Sequence, residues 1–148
     1  MKTLMENLKD LLSSDSTLSS YVKHFEIGAD TIDTLVAYNR FPFVVIDRSS
    51  GVGMEFVTTD VYNLRRKYFH VSLRIAVRIR NKETALLGDT GLLQLTDDVL
   101  NAVFSDETVG GRVEKLDENI TVEEADIVSG GTLLGLARTI NLTYKVTE

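Results

Sequence analysis

Cysteine is missing from all 148 residues, which excludes disulfides, thiol catalysis and cysteine-ligated zinc at once. Histidine is nearly as scarce. His24 and His70 lie far apart with no third ligand beside either, so no metal site is expected. No apolar run approaches the roughly 20 residues that cross a bilayer. The leucines near the start are interrupted by Glu6, Lys9 and Asp10, unlike the core of a signal peptide. A soluble chain made and folded in the cytoplasm, without membrane contact, is therefore expected. Basic residues are also in deficit: 16 Lys and Arg against 22 Asp and Glu leave a net charge of −6, which argues against a broad nucleic-acid-binding surface.

What is present is an ordinary globular composition. With 43% hydrophobic residues the chain can bury enough apolar surface to offset the entropy of folding, so it is not a disordered segment. Its length suits one domain, and no repeat, low-complexity stretch or linker divides it. A single domain over residues 1–148 is expected.

The order of elements follows from periodicity. Leu4, Leu8, Leu11 and Leu12 recur at helical spacing. Asp15 or Ser16 can cap a second short helix through Leu18, Tyr21 and Val22, ending near His24, before a loop at Gly28. Pro42, the only proline, opens the strand-favouring run Phe43-Val44-Val45-Ile46. A turn at residues 49–53 and a short strand at 55–58 follow. The clearest strand spans 68–80: Phe69, Val71, Leu73, Ile75, Val77 and Ile79 share one face, and His70, Ser72, Arg74, Ala76, Arg78 and Arg80 the other. Asp89 is a candidate cap for a helix striped by Leu92, Leu95, Val99, Leu100, Val103 and Phe104. A closing hairpin over 120–146 turns at Gly130-Gly131, where a type I′ connection is expected. Its last strand is striped by Leu134, Leu136, Ile140, Leu142, Tyr144 and Val146, interrupted by Arg138. Strands in sequence without crossover helices predict an α+β domain, an antiparallel sheet with helices packed on one face.

Catalytic motifs are weak. Asp89-Thr90-Gly91 matches the aspartic-protease trio, but one copy lacks its second carboxylate and the residues suit a helix start. Ser20-Tyr21-Val22-Lys23 fits Ser-x-x-Lys without its companion motifs. Gly51-Val52-Gly53 is too short to cradle phosphate, and Glu123, Glu124 and Asp126 lack calcium-loop spacing. Neither an enzyme nor a cofactor is expected.

One charge feature stands out. Arg65, Arg66, Lys67, Arg74, Arg78 and Arg80 place six cations in sixteen residues of an acidic chain. Such a run is a solvated strand face, a protein interface or a nucleic-acid contact. Net charge favours protein over nucleic acid, and the acidic Glu123, Glu124 and Asp126 would suit the basic face of a neighbouring copy, in the head-to-tail manner that closes rings.

These elements together resemble the tail terminator (tail completion) proteins of long-tailed bacteriophages and prophages. The resemblance is carried by the leucine helix, its partner around Leu18 to Val22, the Phe43–Ile46 run, the basic entry Arg65-Arg66-Lys67 into the long strand, the helix over 92–104 and the closing Ile140-Asn141-Leu142-Thr143-Tyr144. It is one of order and pattern over nearly the whole chain, with a long departure at 48–66. The resemblance implies a virion protein assembled in the host cytoplasm. It would form a homo-oligomer, a hexameric ring, on the head-proximal end of the tail tube, contacting the tube protein and a neck or head-completion protein. Nucleic acid would at most pass through its lumen. The contact elements would be the basic strand face, the loop at 49–60 and the hairpin at 120–133. A neck connector of the same assembly, or a small nucleic-acid-binding protein using Arg65-Arg66-Lys67, are the alternatives.

Overall fold

The computed structural model describes residues 2–48, 54–58, 65–110, 115–116 and 120–147. The leucine-striped first segment forms α1 (Lys2–Ser14), burying Leu4, Met5, Leu8 and Leu12. Asp15 then caps α2 (Ser16–Ser19), its carboxylate accepting the amides of Thr17 and Leu18 at 3.0 Å each. α2 is shorter than expected, and His24 does not end a helix. It opens a strand instead, β1 (His24–Ile27).

The cause is a parallel ladder that the sequence pattern does not announce. The Lys23 amide donates to the Pro42 carbonyl at 2.9 Å, and β1 pairs in parallel with β2 (Phe43–Arg48), His24 opposite Phe43. Parallel neighbours need a crossover. It is made by Gly28 at φ +105°, a 3-10 turn (Ala29–Thr31) and α3 (Ile32–Ala37). The Phe41–Pro42 peptide bond before β2 is cis.

The rest of the sheet is antiparallel. β3 (Met54–Thr58) and the long β4 (Arg65–Arg78) follow, so the expected strand starts earlier and stops two residues sooner than the alternation alone indicates. Helices α4 (Lys82–Leu87) and α5 (Leu92–Ser105) come next. Four strands close the chain: β5 (Lys115–Leu116), β6 (Thr121–Val122), β7 (Asp126–Gly130) and β8 (Leu133–Thr147). The strand order is β1-β2-β4-β8-β5, with β3 on β4 and β6 and β7 on β8.

Register shows which residues share a face. On one side Val71, Leu73, Ile75 and Val77 of β4 join Ile140, Leu142 and Tyr144 of β8, and α1, α2 and α5 cover them with Leu8, Leu12, Leu18, Leu95, Val99 and Val103. Each such fully buried aliphatic side chain contributes on the order of 2 kcal/mol of transfer free energy. This is the expected α+β arrangement, with the main helices on one face. The short α3 adds a smaller cluster on the other: Leu35 and Val36 meet Phe41, Phe43, Val45, Ala76 and Ala137. Phe43, Ala76 and Ala137 form one cross-strand row, a large side chain beside two small ones. Beyond α3 this face is polar, with His70, Ser72 and Arg74 opposite Thr143, Asn141 and Thr139.

Two local expectations are corrected. Asp89 does not cap α5; Gly91 does, in extended backbone and without a side-chain bond. A Cβ at Gly91 would lie 2.9 Å from the Ala85 and Leu86 carbonyls, because α4, capped by Asn81, packs directly beneath it. The hairpin turn is centred on Gly131-Thr132, since Gly130 pairs with Leu133. Gly131 alone of the two has positive φ, +62°, which fits a type II′ rather than a type I′ connection.

Candidate functional site

The cations singled out in the sequence do not form one face. Arg65, Arg66 and Lys67 lie at the start of β4, and their side chains fall outside the described residues, as do residues 49–53 and 59–64 of the long loop region. Arg74, in the middle of β4, reaches across β8. Its guanidinium donates from Nη1 to Asp126 Oδ1 at 2.8 Å and from Nη2 to Asp126 Oδ2 at 2.6 Å, and Nη1 also reaches Thr139 Oγ1 at 3.1 Å. Two members of the expected interface therefore pair inside one chain: the acidic arm meets the basic strand face of its own copy.

Arg78 and Arg80 take a different course. At the far end of β4 they line an open cleft of about 590 Å³, together with Lys23, His24 and Arg40. Its floor is apolar, from Phe41, Pro42, Val77 and Ala85. Three separate segments converge there because β1 and β2 begin, parallel, where β4 ends. No aspartate or glutamate among the described residues lines this cleft. None of Lys23, Arg40, Arg78 and Arg80 makes a side-chain hydrogen bond or ion pair with another described residue. Four fixed cations and a histidine thus share one depression in a chain of net charge −6. Clustered like charges raise the local potential and favour an anionic partner.

Sequence reasoning missed Lys23, His24 and Arg40. The sequence pattern ends a short helix near His24, and Arg40 stands alone in the sequence. Only the parallel placement of β1 brings them beside Arg78. A basic residue on each side of the short crossover was the available signal, and it carries weight only once the pairing is known.

The acidic residues lie at the opposite sheet edge. Glu123 and Glu124 are exposed between β6 and β7, and the Glu123 amide donates to Thr139 O at 2.9 Å, which fixes the backbone there. Val122 and Ile127, 39% and 55% accessible, flank them in the chain. β2, β4 and β8 separate this edge from β1.

A buried polar group lies in the helical layer. The Tyr21 hydroxyl donates to Asp98 Oδ2 at 2.6 Å and Gln94 Nε2 to Oδ1 at 2.9 Å, so the Asp98 carboxylate, 8% exposed, has both oxygens engaged. Burial first, and then the hydrogen bond to Asp98, push the Tyr21 hydroxyl well above its ordinary value. Tyr144, fully buried, is also raised, by desolvation and then by Asp106 and Glu107. These are structural positions remote from the cleft. Among the described residues no group of three or more His, Asp or Glu could hold a metal ion, and no helix is long and apolar enough to cross a membrane. No protein-family model matches the chain, and no curated protein is significantly similar to it.

Proposed function

We propose that this chain is a structural subunit of a phage tail terminator, a ring of copies that caps the head-proximal end of a tail tube and presents a face to the neck. The observation that carries the reading is the charge division of the sheet: a basic cleft where β1 begins, its cations without a partner among the described residues, and exposed Glu123 and Glu124 at the other edge. Two different complementary surfaces make head-to-tail contacts, which form a ring where the rotation from copy to copy closes. The order of elements adds the resemblance to tail terminators. The proposed work is binding rather than catalysis: a rigid sheet holds two different side surfaces, and the loops reach axial partners.

The test is absolute mass in solution by light scattering, with negative-stain images, followed by addition of the protein to polymerising tail-tube subunits. Ring-shaped particles of six times the 16.5 kDa chain mass, and tubes whose growth stops at the capped end, are the expected results. Tubes that keep growing, with the protein unbound to them, would overturn the proposal. Binding to portal-side proteins in place of the tube would make the chain a neck connector.

A further inference from the structure

We infer that the basic cleft of one copy receives the Glu123-Glu124 segment of a second copy, an inference that rests on the ring reading above and names its joint. Three observations on the molecule lead to it. First, the cleft's cations have no partner among the described residues, whereas Arg74, a few residues earlier in the chain, is engaged by Asp126. Among the described residues the cleft therefore holds cations of the β4 end that no carboxylate meets. Second, the chemistry of the acidic edge matches it in both components. Glu123 and Glu124 meet the cationic rim, and the exposed Val122 and Ile127 meet the apolar floor of Phe41, Pro42 and Val77. Interfaces combine an apolar centre with a polar rim in this way, and complementary charge fixes their register.

Third, a copy does not fill its own cleft. The segment is anchored to β8 by the Glu123 amide and held over the sheet by the Asp126–Arg74 pair. Along β8 the segment sits at Thr139, four positions, roughly 13 Å, from Gly135, which pairs with Arg78 at the cleft. The intrachain pair thus has a role in assembly, since it keeps the glutamates facing outward at a fixed edge. Net charge argues against the competing polyanion, nucleic acid. A long phosphate backbone would be opposed by the chain's net charge of −6, whereas a short acidic segment needs only the cleft itself.

The experiment uses the full chain and two double variants, Arg78→Glu with Arg80→Glu and Glu123→Lys with Glu124→Lys, examined by sedimentation velocity over a concentration series. Each variant alone should require at least tenfold higher concentration than the wild type to assemble, because its own joint brings like charges together. Mixed in equal amounts, the two should co-assemble, since every joint then pairs opposite charges. That recovery also shows that both variants are folded. The inference is overturned if either variant assembles as the wild type does, if the mixture stays monomeric, or if the wild type remains monomeric at every concentration reached. Rings unaffected by the reversals would leave the ring reading standing with its joint elsewhere, while failure to cap tubes would remove the ring reading itself.

Discussion

Arg74 and Asp126, fifty-two residues apart, face each other as two parallel N–H···O contacts of 2.8 and 2.6 Å across the intervening strand. The arginine side chain is 23% exposed and the aspartate 53%, so water screens the pair on one side. Two-pronged geometry and the added Thr139 hydroxyl set it above an ordinary surface contact.

Asp126→Ala and Arg74→Ala should each lower stability by about 1 kcal/mol, the upper end for partly exposed pairs. The double variant should lose little more than either single one. Urea unfolding of the four proteins checks this; additive losses would show that the two residues act independently.

Tyr21→Phe and Tyr144→Phe should move stability in opposite directions. The first removes a donor from a buried carboxylate and should cost about 1.5 kcal/mol. The second removes a buried hydroxyl that has no partner among the described residues, and should leave the protein as stable or more stable. Thermal melts of the two single variants decide it.

Alkaline pH should expose the same two residues. Both phenols are held above their ordinary value of 10.0, Tyr21 by burial and Asp98, Tyr144 by burial and nearby carboxylates. A raised folded-state value means that the stabilisation is fully present below about pH 10 and declines as pH rises beyond it, where the unfolded chain releases protons that the folded chain keeps. Unfolding free energy measured from pH 9 to 11 should fall in the wild type and fall less steeply in the variant lacking both hydroxyls.

Asp106 should titrate in the other direction. Its carboxyl is held below the usual carboxylate range, first by the Gly110 amide and then by the Thr108 hydroxyl, as it ties down the turn after α5 that buries Val109. The stabilisation is present above the ordinary value and is lost as pH falls through the lowered one. A carbon-detected NMR titration that finds Asp106 at an unperturbed value would contradict this arrangement.

Gly135→Ala should cost about 1–3 kcal/mol, because the new methyl would stand 2.5 Å from the Phe41 ring. Phe41 also forms the floor of the cleft, so the loss of assembly should exceed what the stability change explains. Comparison with a mutation equally destabilising but buried under α5, such as Leu95→Val, separates the two effects.

How much of this was legible beforehand depended on how local its cause was. β4 and β8 declared themselves through sustained alternation from Val71 to Val77 and from Leu136 to Tyr144, and α5 through the spacing of Leu92, Leu95 and Val99. The four-residue β1 and the six-residue α3 and α4 are too short for periodicity to emerge. Their existence depends on partners distant in sequence, or on a single cap such as Asn81. Arg78 and Arg80 were visible as charges, but their setting was not, because Lys23 and Arg40 join them only through the parallel pairing of β1 with β2. The Arg74–Asp126 pair needed both the register of β4 on β8 and that of β7 on β8.

The margins of the sheet are broken into pieces. Among the described residues one margin is shared by the four-residue β1 and the five-residue β3, and the other is divided among β5, β6 and β7 of two, two and five residues. Short, interrupted margins give an incoming backbone few hydrogen-bonding groups in a row. The described margins thus disfavour copies pairing edge to edge into one continuous ribbon. Any association among them must be specified by side chains, at an angle they alone determine, and can therefore stop at a definite number.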